Sequence, residues 1–146
     1  MAKLIGKSYN SLDSKGRLII PTRLREGLGG TFYLCQGMDL NLYAYPNAEW
    51  DKFTEKLSQL PQSDIKARRF RDFFEGSATE LEVDGQNRIV IPQQLREFAG
   101  IDRDVVVVGH TTYVEIWNKQ AYDEVHATEA VDIAQLSMDI GAMYGI

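Results

Sequence analysis

The sequence holds one cysteine, two histidines and no long apolar run, and each scarcity removes a class of protein. A single thiol, Cys35, cannot close an intrachain disulfide or build a cysteine-based zinc cage. It lies in the apolar run Phe32-Tyr33-Leu34-Cys35, which predicts a buried, inert thiol. His110 and His126 have no cysteine, histidine or carboxylate at metal-ligand spacing, so no metal is expected. His126 is expected on a solvated helix surface, and the scattered Asp and Glu residues on solvated faces. The chain lacks a phosphate-cradling glycine loop and a nucleophile elbow, and Gly29-Gly30 reads as a helix stop. The expectation is no enzyme, no cofactor and no small-molecule substrate. No apolar stretch approaches the roughly 18 residues of a membrane span. The first seven residues are basic but lack the apolar stretch of a signal peptide. A cytoplasmic chain with no membrane partner is expected.

What remains is a chain of 146 residues, 44% of them hydrophobic, enough for a core. That length suits one compact domain or two small intertwined units. The net charge of −5 argues at first against nucleic acid, but it averages over an asymmetry. Residues 1–30 hold six basic residues (Lys3, Lys7, Lys15, Arg17, Arg23, Arg25) against Asp13 and Glu26, a local +4. Residues 101–146 hold two basic and eight acidic residues, a local −6. Surface fields follow local clusters, so a basic front and an acidic tail suit one-sided binding of a polyanion.

The dominant pattern is an internal repeat. Asp13-Ser14-Lys15-Gly16-Arg17-Leu18-Ile19-Ile20-Pro21 returns as Asp84-Gly85-Gln86-Asn87-Arg88-Ile89-Val90-Ile91-Pro92, at an offset of 71 residues. Both copies share the Asp, the Arg four positions later, an Ile-Pro pair, a Leu-Arg-Glu and a Gly (Gly29 and Gly100). Beyond the motif, apolar strands recur at Phe32–Cys35 and Val105–Val108, then at Leu42–Tyr45 and Tyr113–Trp117. A helix follows each pair. Each copy therefore reads strand, tight turn, strand, short helix, strand, strand, longer helix.

Turn chemistry fits this order. Gly16 supplies the positive φ of a tight turn, and Asn87 holds the same place as one of the few other residues that tolerate it. Asp13 and Asp84 are placed to cap their own turns through backbone N–H groups. Ile20 and Ile91 precede proline and should be extended. Pro21 and Pro92 should start a short helix, and Gly29 and Gly100 end it. Between the copies, Trp50, Phe53, Leu57 and Leu60 mark one helix face, with Asn47 as its expected cap. Ser63 is expected to start a second helix carrying Ile65, Phe70, Phe73 and Phe74. Its charges, Lys66, Arg68, Arg69 and Arg71 among Asp64, Asp72 and Glu75, read as a solvated or subunit-facing surface. The tail from Thr128 is amphipathic, with Val131, Ala134 and Met138 on one side.

The turn is where binding chemistry concentrates. Lys15 and Arg17 are expected at the tip and shoulder of a hairpin, flanked by Lys7, Arg23 and Arg25. A two-stranded β element fits the major groove, where Arg takes guanine O6 and N7 together. Lys and the other Arg residues hold phosphates and set register. Double-stranded DNA is the expected partner. The second copy replaces Lys15 by Gln86 and Thr22-Arg23 by Gln93-Gln94, so the first should carry most of the field. Arg88 is then a supporting contact. Arg25 and Arg96, beside Glu26 and Glu97, are balanced between an ion-pair role and phosphate contact.

These residues resemble the MraZ family over nearly the whole chain. The resemblance rests on Leu4-x-Gly6, on Leu12 to Pro21, on Leu42-Tyr43-x-Tyr45-Pro46 with Trp50, on the Ala67-Arg68 to Gly76 helix, on the second D-x-x-x-R and on Ile116-Trp117. It implies an α+β fold in which two tandem AbrB-like swapped-hairpin β units form one pseudo-symmetric module, with interspersed helices and a C-terminal helix. The units fall at residues 7–54 and 78–126, with a helical linker at 55–77 and a helical tail at 127–146. It further implies a ring-shaped homo-oligomer, nucleoid-associated, that represses the division and cell-wall gene cluster by binding short G-containing direct repeats in its own promoter. An AbrB-like antitoxin, binding DNA and a protein toxin, is the alternative. Two copies and a periodic tail count against it.

Overall fold

The strands expected from the repeat form, but they pair largely across the copies. The computed structural model describes residues 3–129 and 133–146. The first copy supplies β1 (Leu4–Ser11), β2 (Arg17–Ile19), α1 (Thr22–Leu28), β3 (Thr31–Gln36), β4 (Leu42–Pro46) and α2 (Asn47–Ser58). A linker helix, α3 (Ile65–Glu75), follows. The second copy supplies β5 (Thr79–Glu82), β6 (Arg88–Val90), α4 (Gln93–Phe98), β7 (Asp104–Thr111), β8 (Val114–Asn118) and α5 (Lys119–Glu129). A last helix, α6 (Ile133–Tyr144), ends the chain. The fold is mixed α+β.

Six strands make one antiparallel sheet in the order β1-β7-β8-β4-β3-β5, which interleaves the two copies. The other two, β2 and β6, pair only with each other. One expectation is therefore corrected: β1 and β2, which flank the first turn, do not form a local hairpin ladder. β1 pairs with β7 over eight positions, from Leu4 opposite Thr111 to Ser11 opposite Asp104. β2 is only three residues long, since Pro21 follows, and its ladder partner is its own repeat. Gly109 permits the close approach of β1, because a Cβ there would lie 2.6 Å from the Leu4 and Ile5 backbone.

The core repeats the symmetry of the motif. Leu18, Ile20 and Leu24 of the first copy and Ile89, Ile91 and Leu95 of the second are all buried in one cluster. A second, aromatic cluster joins α2 and α3 to the sheet through Tyr43, Tyr45, Trp50 and Phe74. Tyr45 stacks on Phe53 at 5.2 Å, and Phe53 meets Phe74 edge-on at 5.2 Å. Cys35 is buried there, and burial pushes its thiol up to about 12.

Three helix details depart from expectation. Asn47 is the first residue of α2, not its cap; Pro46 precedes it and the Asn47 amide donates to Thr31 Oγ1 instead. Asp64, not Ser63, caps α3, accepting from the Lys66 N–H at 2.8 Å. A carboxylate at that place also meets the positive helix end. In the tail, the expected stripe includes Val131, which lies outside the described residues; Ala134 and Met138 are exposed on α6.

Candidate nucleic-acid interface

Each turn is built by its aspartate. Asp13 Oδ1 accepts from the N–H groups of Lys15 and Arg17, both at 2.9 Å. Its Oδ2 holds Arg17 Nε at 2.6 Å. Asp84 does the same for Gln86 at 2.8 Å and Arg88 at 2.9 Å, and holds Arg88 Nε at 3.0 Å. The Arg17 and Arg88 N–H groups are the main reason that these carboxylates titrate below their ordinary value. Gly16 has φ +74° and Asn87 φ +62°, so both copies adopt the same turn despite the different residue. Because each carboxylate takes the arginine's Nε, the terminal guanidinium nitrogens keep their donors for a ligand.

Register then places the two arginines together. Arg17 lies opposite Val90, Leu18 opposite Ile89, and Ile19 opposite Arg88. Side chains directly opposite in a ladder share a face, and alternate residues share it too. Arg17, Ile19, Arg88 and Val90 therefore form one face of a two-stranded ribbon. Leu18 and Ile89 form the other and are buried. Lys15 stands exposed at the tip of the first turn and Gln86 at that of the second.

The remaining expected site residues are distributed differently. Lys7 sits six residues before Asp13, about 20 Å along an extended strand. Its ammonium lies 5.0 Å from the Tyr122 ring centre, and hydrogen bonding to Tyr122 raises its pKa. Arg23 donates to the Lys7 carbonyl and covers Gly6. Neither joins the ribbon face. Arg25 donates to the Ile20 carbonyl at 3.2 Å and lines a cavity of about 240 Å³ with Asp84 and Asn87, beside the second turn. Arg96, its repeat, donates to the Ile91 carbonyl at 2.9 Å and lies against Gly16, where an added Cβ would be 2.9 Å from its Cζ. Each turn thus lies beside the arginine of the other copy. Sequence reading could weigh Arg25 and Arg96 only against their neighbours, because the exchange of partners is not visible in spacing.

His126 is exposed on α5, as expected, and the structure adds neighbours to both histidines. Both line one cavity of about 270 Å³ with Glu115 and Trp117. His126 is exposed at its edge but stacks on Tyr122 at 3.8 Å. Glu115 is no solvated carboxylate: it is buried and accepts from Trp117 Nε1 at 2.9 Å. Among the described residues no group of three or more His, Cys, Asp or Glu could hold a metal, and no helix is long and apolar enough to cross a membrane. In the linker helix, Arg71 pairs with Glu75, and Arg68 donates to the Gln62 carbonyl at 2.8 Å.

Relatives resemble this chain along most of its length. The Transcriptional regulator MraZ of Desulforamulus reducens is 46% identical over 136 residues, 93% of this chain and 96% of the relative. That of Acetivibrio thermocellus is 43% identical over 141 residues, 97% and 98% of the two chains. That of Moorella thermoacetica is 46% identical over 120 residues, 82% and 84%. The class these define is that of transcriptional regulators, a non-enzymatic role. The family model of the MraZ protein, described as antitoxin-like, matches twice, over residues 4–73 and 74–137. The chain belongs to the MraZ family.

Proposed function

We propose that this chain is a sequence-specific DNA-binding repressor of the division and cell-wall gene cluster, binding short direct repeats in its own promoter. The observation that carries the reading is the ribbon face, where Arg17 and Arg88 stand together, each oriented by an aspartate. Lys15 adds a charge at the first tip. In this reading the two copies, residues 7–54 and 78–126, form one AbrB-like swapped-hairpin module, joined by residues 55–77 and followed by the tail from 127. Arg17 and Arg88 take guanines; Lys15 takes phosphate. Lys7, Arg23 and Arg25 serve as outlying positive charges that steer DNA onto the face. The protein works in the cytoplasm, on the nucleoid.

One ribbon offers few contacts, and binding through a few Lys and Arg weakens steeply with salt. A ring of identical chains engaging successive repeats raises avidity by roughly 10²–10⁴. Exposed apolar side chains on α6, among them Ile133, Met138 and Met143, support such self-association. The test is a gel shift on the chain's own upstream region. Wild type should bind, and the Lys15→Ala, Arg17→Ala double variant should not; retained affinity in that variant overturns the assignment. A second reading, an antitoxin, is favoured by the family description and by the same exposed helix. Co-purification of a small toxin protein would support it.

A further inference from the structure

The ribbon face carries two side chains that the arginine contacts do not use. Ile19 and Val90 are each 54% exposed, whereas Leu18 and Ile89, their immediate neighbours, are each 1% exposed. Ile19 and Val90 are equivalents in the internal repeat, 71 residues apart. The copies diverge at other exposed positions of this motif, Lys15 against Gln86 and Ser14 against Gly85, yet both keep a β-branched aliphatic here. By register the four residues form a square, with Arg17 and Arg88 on one diagonal and Ile19 and Val90 on the other.

The surroundings point to the occupant. Two guanidinium groups and the ammonium of Lys15 make this face suited to a polyanion, since an uncharged apolar surface would leave the terminal guanidinium donors and the ammonium unpaired. Within the major groove, the apolar feature of a base edge is the thymine C5-methyl group. Resting on the DNA-binding reading above, we propose that Ile19 and Val90 are specificity-determining residues that pack against thymine methyl groups beside the guanines taken by Arg17 and Arg88. Residues two apart on a strand are separated by about 6.6 Å. That is about two base-pair steps of 3.4 Å, so each contacted thymine falls within about two steps of a contacted guanine.

Replacing every thymine of the upstream duplex by deoxyuridine tests this, because it removes the methyl and keeps all Watson–Crick donors and acceptors. The wild-type chain should lose about fourfold in affinity per methyl buried, or about 15-fold for two. The Ile19→Ser, Val90→Ser double variant should bind the thymine duplex at that weakened level and bind the deoxyuridine duplex equally well. Its thermal unfolding serves as the control for folding, and the wild-type comparison stands without it. Equal wild-type affinity for both duplexes overturns the proposal while leaving the DNA-binding reading intact. A deoxyuridine loss of the same size in the variant also overturns it, since the methyl is then sensed elsewhere. Failure of the wild type to bind either duplex overturns the DNA-binding reading itself.

Discussion

Asp13 and Asp84 show how one residue sets a local structure and makes it pH-sensitive. Backbone N–H groups of Arg17 and Arg88 hold both carboxylates below their ordinary value. Groups depressed on folding contribute stability above the unfolded value, about 3.9 for Asp, and lose it as pH falls through the lower folded value. Thermal unfolding should therefore be insensitive to these groups from pH 7 to about 5 and weaken below about 4. Asp13→Asn with Asp84→Asn should flatten that acid limb; an unchanged limb would remove the carboxylates from the account. The other residue-scale test concerns backbone. Gly16→Val puts a β-branched residue at positive φ and its Cβ 2.9 Å from Arg96 Cζ, so it should cost at least the about 1–2 kcal/mol of the backbone strain alone, whereas Asn87→Gly should fall within about 0.5 kcal/mol of wild type. Urea denaturation reads both. These turn residues were legible in the sequence, because D-x-x-x-R with Gly or Asn before the Arg is a local pattern with a local cause. The partner of each turn was not. Arg96 beneath Gly16 depends on an exchange between segments 80 residues apart, which no local spacing encodes.

At the scale of elements, the β2–β6 ribbon divides its six side chains by face. Leu18→Ala and Ile89→Ala should each cost about 2–5 kcal/mol, and by similar amounts, since the two lie opposite each other in the buried face. Ile19→Ser and Val90→Ser change side chains that are 54% exposed and should cost about 1 kcal/mol or less, the span of strand propensity. Denaturant midpoints compare the four; comparable losses on both faces would contradict the register. The succession of strands and helices was readable from apolar runs and proline and glycine punctuation. The helix starts were less so. Asn47 has a capping side chain in the right place, but Thr31 on β3 takes its amide, a tertiary contact that overrides the local preference.

For the whole molecule, the sheet order makes the copies mutually dependent. β7 and β8 of the second copy separate β1 from β4 and β3 of the first, and β5 closes the far edge. Residues 1–77 and 78–146, produced separately, should each lack cooperative unfolding and recover it on mixing. Independent folding of either piece would argue against the interleaved sheet. The same interleaving explains why a net charge of −5 misleads. Pairing brings Arg17 and Arg88 to one face while the acidic residues of the second half, such as Asp102, Asp123 and Glu124, gather around another surface at α5.

The measurement that bears most directly on this account is the affinity of wild type, Arg17→Ala, Arg88→Ala and the double variant for the upstream duplex, by fluorescence anisotropy at fixed salt. A bidentate arginine–guanine contact discriminates by about 1–3 kcal/mol, or about 5- to 150-fold. Each single variant should lose affinity within that range, Arg17→Ala at least as much as Arg88→Ala, and the double variant should lose more than either. Single variants that bind as wild type does would show that the shared ribbon face is not the surface that reads DNA.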